Sequence, residues 1–338
     1  MNEIKPEGLK KLYSCRIAGT GSYLPERVVT NTDWEKLIDT NDEWIVARTG
    51  IKERRFAAED QCTSDMGTAA AKKAIQRAGI SPEEIDLIIV ATVTPDHIFP
   101  STAARIQHNL GATRAAGFDL QAACAGFLYS MEVGSQFIAT GYYKNILAIG
   151  AEKLTSITDM EDRNTCILFG DGAGAAILSR ADSKTKGFLS CVLQMDGSKA
   201  DLLQVPAGGS RTPASQETLD ARLHYMRMQG KETFKCAVSS MVDCGRAALE
   251  RAGCSVEDVK LAIFHQANLR IIKAVGERLG LKEEQVFVNV NKYGNTSAAS
   301  VAIALDEAIE TGTVHSGDKL LLVAFGSGFT TGAIVLEW

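Results

Sequence analysis

Cys124 stands in AACAG (122–126), where an apolar run ends and a helical pattern begins. A thiolate is the nucleophilic form of cysteine, and a helix N-terminus lowers the thiol pKa through free amides and the helix dipole. Ala122, Ala123, Ala125 and Gly126 are small enough to admit a substrate and to leave backbone N–H groups free for an oxyanion. In IFHQANLR (263–270), His265 closes an apolar run, at the carboxyl end of a strand where open α/β sheets place their sites. Asn295 lies in KYGNTSAAS (292–300), after Gly294 and before a run of small residues. A thiol and two donors, each at a strand end, suit acyl transfer. Each also has a structural alternative. AACAG reads equally well as close helix packing, a lone histidine is more often structural, and Asn and Ser cap turns and helices. His97, His108, His224 and His315 are read as structural or surface residues.

Such groups meet only if regular elements carry them to one place. Apolar runs alternate with helical patterns, which predicts an α/β fold with parallel or mixed sheets. Strands are expected at 15–21, 85–93, 116–120, 145–152, 174–179, 261–265, 285–290, 319–326 and 332–338. Helices are expected at 65–78, 126–140, 234–251, 269–279 and 297–310. RAGISPEEIDLII (77–89) returns as RAGCSVEDVKLAI (251–263), IATG (138–141) as IETG (309–312), and GAAIL (174–178) as GAIVL (332–336). Three matches in one order predict two similar halves. The expected division is a tail at 1–12, a half at 13–180 with Cys124, and a half at 181–338 with His265 and Asn295, the halves forming one unit. Cys124 and Asn295 then occupy equivalent strand-to-helix junctions, which a pseudo-two-fold axis could bring face to face. GDGAGA (170–175) and GTGSYL (19–24) lack the context of a nucleotide-binding loop and read as tight turns.

Composition narrows the function classes. With 36 basic against 41 acidic residues the net charge is −5, which argues against non-specific binding to nucleic acid or an anionic membrane. No apolar stretch reaches the ~18 residues that span a bilayer. The start, MNEIKPEGLKKLYS, has no apolar signal-peptide core. Eight cysteines without a CxxC pair or a histidine at ligand spacing predict neither a disulfide framework nor a metal site. A reducing cytoplasm is the expected compartment.

DLQAACAGF, HQANLRI, GNTSAASV and FGDGAGAA resemble the active-site motifs of β-ketoacyl-acyl carrier protein synthase III, in the thiolase superfamily. GTGSYLPERVVTN, DEWIVARTGI and FGSGFTTGA extend the resemblance from about residue 13 to 338. It implies a thiolase-like, internally duplicated α/β fold, layered α-β-α-β-α with mixed five-stranded sheets. It also implies a reaction in two stages without a cofactor. Cys124 would take an acyl group from acyl-coenzyme A. Malonyl-acyl carrier protein would then decarboxylate and attack the thioester, giving 3-oxoacyl-acyl carrier protein, coenzyme A and CO2 and starting fatty-acid synthesis. His265 and Asn295 would bind the malonyl thioester oxygen, and the amides of Cys124 and Ser327 the first oxyanion.

By the same resemblance Trp44 and Arg163 would stack on the adenine of coenzyme A, and Arg48 would meet its phosphates. Phe99 would enter the acyl pocket of a second subunit, which implies a homodimer. Arg270, with Lys235, Lys273 and Arg278, would receive the acidic carrier protein, although Glu277 interrupts the patch. Ser327 and Thr331 depart from the family's frequent Gly and Trp. Three rivals are a thiolase-fold acyltransferase for a specialised product or unusual starter, a papain-like Cys-His-Asn hydrolase, and a non-catalytic relative that binds only.

Overall fold

The alternation of apolar runs and helices resolves into two five-stranded sheets in a computed structural model that describes residues 12–181 and 187–338. The expected N-terminal tail, apart from Leu12, lies outside the described residues. The first sheet comprises β1 (Cys15–Tyr23), β2 (Leu87–Ala91), β3 (Ala116–Leu120), β4 (Asn145–Glu152) and β5 (Gly172–Arg180), in the order β1-β5-β4-β2-β3. The second comprises β6 (Gly187–Met195), β7 (Val259–Phe264), β8 (Val286–Phe287), β9 (Lys319–Gly326) and β10 (Thr330–Glu337), in the order β6-β10-β9-β7-β8. In each sheet the first strand pairs antiparallel with the fifth, and the fifth antiparallel with the fourth. The fourth pairs parallel with the second, and the second parallel with the third. Identical order and direction make the duplication read from the repeats visible in the backbone.

Seven helices position the site: α1 (Asp42–Thr49), α2 (Thr63–Ala78), α3 (Thr102–Leu110), α4 (Gly126–Ala139), α5 (Gly230–Ala252), α6 (Leu269–Leu279) and α7 (Ala299–Glu310). Helices α4 and α7 lie between the sheets. Phe127, Leu128 and Met131 of α4 and Val301, Leu305 and Ala308 of α7 share one core with Ile89 and Ile146 of the first sheet and Ile263 and Leu322 of the second. A helix apolar on both sides belongs in such a buried layer. Met66, Ala70 and Ile75 of α2 and Ile106 of α3 cover the outer face of the first sheet. Val238, Met241 and Val242 of α5 and Ile272 and Val275 of α6 cover that of the second. The result is the five-layered α-β-α-β-α arrangement.

Local chemistry moves several expected boundaries. The strand expected at 285–290 pairs only at Val286–Phe287, because the amides of Asn289 and Val290 donate to Gln266 Oε1 (2.9 and 3.1 Å) and the chain turns helical at 290–293. Helix α7 begins at Ala299 rather than Ser297, whose φ of +48° is left-handed. Strand β6, helix α3 and a hairpin pairing 27–30 with 53–56 were not anticipated by the periodicity. The glycine patterns are not tight turns. A Cβ on Gly19 or Gly21 would lie 2.5 or 2.3 Å from carbonyls of α2, so both serve close helix packing on β1. Gly174 does the same for α7, since its Cβ would meet Ala302 Cβ at 2.4 Å. Asp171 accepts from the Ala57 and Thr155 amides (2.8 and 3.0 Å), a structural use of the acid in GDGAGA.

Candidate active site

Strand β3 ends at Leu120, and the chain turns through Ala123, whose φ of 45° is unusual for a residue with a Cβ, into a 3-10 turn (Ala123–Ala125) continuous with α4. The second sheet holds this turn in place. Thr330 Oγ1 donates to the Ala122 carbonyl (2.7 Å), and a Cβ on Gly326 would lie 2.6 Å from Cys124 N. Burial pushes the Cys124 thiol up to about 12, against the opposing influence of the Ser297 hydroxyl. The lowered pKa expected from the helix end is therefore not the net result: desolvation outweighs it. The nearby Glu152 charge raises the thiol further.

His265 follows the last residue of β7, its amide bonded to the Val323 carbonyl of β9 (2.8 Å). Its Nδ1 lies 2.6 Å from Ser300 Oγ, which also accepts from the Gln266 amide (3.3 Å). With the hydroxyl donating to Nδ1, the ring hydrogen sits on Nε2. Burial depresses the imidazole to about 3, so it is neutral throughout the physiological range. Asn295 is pinned by the first half, its amide to the Leu168 carbonyl (2.8 Å) and its carbonyl to the Gly170 amide (3.0 Å). Its Oδ1 accepts from the Ser297 amide (2.9 Å), which leaves Nδ2 as a donor. Thus the two buried side chains offer neutral N–H groups rather than charge.

One cavity of about 1300 Å³ brings Cys124, His265, Asn295 and Ser327 together. At its outer end it is lined by Trp44, Arg48, Lys235 and Arg270, with Lys231 beside them. The Arg48 and Arg163 guanidinium carbons each lie 4.4 Å from the Trp44 ring centroid. For a purine to stack on the indole, one guanidinium must swing aside. Arg270 packs on Phe234 of α5 (5.5 Å), and Lys235 pairs with Glu232 (3.2 Å). Lys273 and Arg278 are exposed along α6 but do not line the cavity. Phe99 is 84% exposed and also lies off it. Thr331 is buried in β10 and pairs with Phe325.

Of the eight cysteines, all free, only Cys124 lines this cavity. Sequence reasoning passed over Ser297, Ser300 and Glu152. The serines lie within GNTSAAS itself, and an acid closing the apolar run NILAIGAE was the available signal for Glu152. Lys231 gave no signal beyond a charge on a helix. The papain-like reading is not supported: His265 Nδ1 meets Ser300 Oγ (2.6 Å) rather than Asn295, so the Cys-His-Asn relay of such a site is not formed.

Residues 118–197 match the family described as 3-oxoacyl-[acyl-carrier-protein (ACP)] synthase III, and residues 249–338 match its C-terminal counterpart. A β-ketoacyl-[acyl-carrier-protein] synthase III of Caldanaerobacter subterraneus subsp. tengcongensis is 54% identical over 95% of this chain and 97% of its own. The enzyme of that name from Clostridioides difficile is 50% identical over 95% and 98%. The crystal structure of 3-oxoacyl-[acyl-carrier-protein] synthase III from Aquifex aeolicus covers 96% of this chain and 100% of its own, at 49% identity and a TM-score of 0.89. The priming β-ketosynthase of the R1128 polyketide pathway covers 97% of each chain at 37% identity, also with a TM-score of 0.89.

Proposed function

The chain belongs to the β-ketoacyl-[acyl-carrier-protein] synthase III family, and from that premise we propose that it condenses an acyl-coenzyme A primer with malonyl-acyl carrier protein through an acyl-Cys124 intermediate. The products are 3-oxoacyl-acyl carrier protein, coenzyme A and CO2, the first condensation of fatty-acid synthesis. The convergence of Cys124, His265 and Asn295 on one cavity carries the reading. In the first stage Cys124 sulfur attacks the thioester carbonyl, and the amides of Cys124 and Ser327 hold the oxyanion. In the second stage the malonyl thioester oxygen lies between His265 Nε2–H and Asn295 Nδ2–H. Loss of CO2 puts negative charge on that oxygen, and neutral donors fixed in advance stabilise it without reorganising. The carbanion then attacks acyl-Cys124 and releases the thiolate.

Trp44, Arg48 and Arg163 are suited to an adenine nucleotide, as an aromatic face and cations. Arg270 and Lys235 at the outer end of the cavity support docking of an acidic carrier protein, with Lys273 and Arg278 extending the charge along α6. No bound cofactor is required by this chemistry. A homodimer is supported by β3, which ends its sheet with Phe118 exposed, and by Ile98 and Phe99, 90% and 84% exposed, in the segment before α3. Among the described residues no helix is long and apolar enough to cross a membrane, and the cytoplasm remains the proposed compartment. Priming of a specialised product is the second reading, favoured by the likeness to the R1128 enzyme.

Incubation with a panel of acyl-coenzyme A esters should add one acyl group to Cys124 by intact mass. Malonyl-acyl carrier protein should then discharge it as a 3-oxoacyl product. An adduct that survives Cys124→Ala, or no adduct with any ester, would sink the proposal. His265→Ala should retain acylation while losing malonyl decarboxylation; the reverse pattern would overturn the assigned roles.

A further inference from the structure

Glu152 is wholly buried at the end of β4, with relative exposure of 0%. Its Oε2 accepts from Thr94 Oγ1 (2.7 Å), Thr92 Oγ1 (3.1 Å) and the Val93 amide (3.1 Å). Its Oε1 accepts from Ser297 Oγ (3.0 Å), and Ser297 lines the same cavity as Cys124, where its hydroxyl pulls the thiol pKa down against burial. Ser297 does so in a left-handed conformation, φ +48°. Among the described residues no lysine or arginine pairs with the carboxylate. Lys153, its chain neighbour, turns away to the carbonyls of Ala58, Glu59 and Gln61 (3.0, 3.1 and 2.7 Å). The hydrogen-bond partners of Glu152 are Thr92, Thr94, Ser297 and the Val93 amide, and among the described residues its charge acts on the Cys124 thiol, raising it.

Resting on the acyl-enzyme reading above, we infer that Ser297 and Glu152 form a proton relay for Cys124. As the Cys124 S–H bond breaks, its proton passes to Ser297 Oγ while the Ser297 hydroxyl proton passes to Glu152 Oε1. The pair carries one negative charge before and after, moved from carboxylate to sulfur. The thiolate attacks the thioester, the adduct collapses to acyl-Cys124, and coenzyme A leaves as a thiolate that takes a proton from solvent. After condensation the electron pair of the acyl–sulfur bond returns to Cys124, and Glu152 returns the stored proton by the same path. Two further observations fit. Burial keeps the resting thiol protonated at neutral pH, so an acceptor is needed, and burial raises the carboxyl to about 7, which suits it to accept. A neutral Glu152 during the second stage also leaves the developing enolate unopposed.

Glu152→Gln and Ser297→Ala test the relay against simple electrostatics, because the signs are opposite. Removing a buried negative charge beside a thiol would by itself speed thiolate formation. The relay instead predicts that either variant loads acetyl-coenzyme A, or whichever ester loads the wild type fastest, about 100-fold more slowly at pH 7. Iodoacetamide alkylation of Cys124, read by peptide mass, should rise with pH and level off near neutrality in the wild type. In Glu152→Gln it should climb about tenfold per pH unit through that range. Wild-type loading rates in both variants, or an unchanged alkylation profile in Glu152→Gln, would overturn the relay while leaving the condensation reading intact. A wild-type chain that takes no acyl group would overturn the condensation reading itself.

Discussion

A methyl group on Gly326 would stand 2.6 Å from the Cys124 amide nitrogen and 3.0 Å from the Ala122 carbonyl, with backbone on both sides. The φ of −142° is open to any residue, so the constraint is purely the closeness of β9 to the turn that carries Cys124. Gly326→Ala must therefore move that turn, and a misplacement of this size costs about 100-fold in rate. Single-turnover acylation is the measurement, with the fold checked by circular dichroism; unchanged acylation would mean that this contact does not set the nucleophile. The neighbours of Cys124 announced themselves in sequence, because AACAG is a run of small residues. Gly326 did not, being one of 30 glycines with its reason 200 residues away. The Ser300–His265 and Ser297–Glu152 hydrogen bonds were hidden for the same cause: hydroxyl partners are set by the fold, not by spacing.

Helix α7 is the element on which the site turns. Its approach to the first sheet is possible because Gly150 and Gly174 face it: a Cβ on Gly150 would meet the Ala298 carbonyl at 2.4 Å. Thr20 of β1 and Arg77 of α2 reach its buried Asp306, so the first half grips the helix by hydrogen bonds as well. Gly174→Ala should destabilise the protein by about 1–3 kcal/mol in urea unfolding, as overpacked cores do. It should also slow condensation, because Asn295 and Ser297 precede this helix and Ser300 lies in its first turn. The period of the long helices and the repeated RAG junction were legible because burial on one face leaves a pattern. Strand β8 was overread because Gln266, from a different element, takes the amides that would have continued its ladder. Strand β6 carries no clean alternation and was missed.

At the scale of the whole molecule, two buried groups tilt stability with pH in opposite senses. His265 titrates near 6.5 when unfolded and about 3 when folded. Its contribution is present above 6.5 and lost as pH falls towards 3. Glu152 moves the other way, from 4.5 to about 7, so its contribution is present below 4.5 and lost as pH rises through 7. Relative to wild type, Glu152→Gln should therefore gain on the order of 3 kcal/mol between about pH 4 and pH 8. Chemical denaturation at the two pH values checks this, and a constant difference would refute it. A variant that gains stability while losing acylation cannot owe the loss to misfolding. The edge of the first sheet bears on a different property. Asp119 of β3 takes the Thr102 and Ala103 amides of α3 (2.7 and 2.8 Å), which ties the start of α3, just after exposed Ile98 and Phe99, to that edge strand. An unpaired strand beside bare apolar side chains is a template for indiscriminate stacking of chains. Whatever covers it in use also keeps newly made protein in solution, so changes at Phe99 or Phe118 would register in expression yield as well as in turnover.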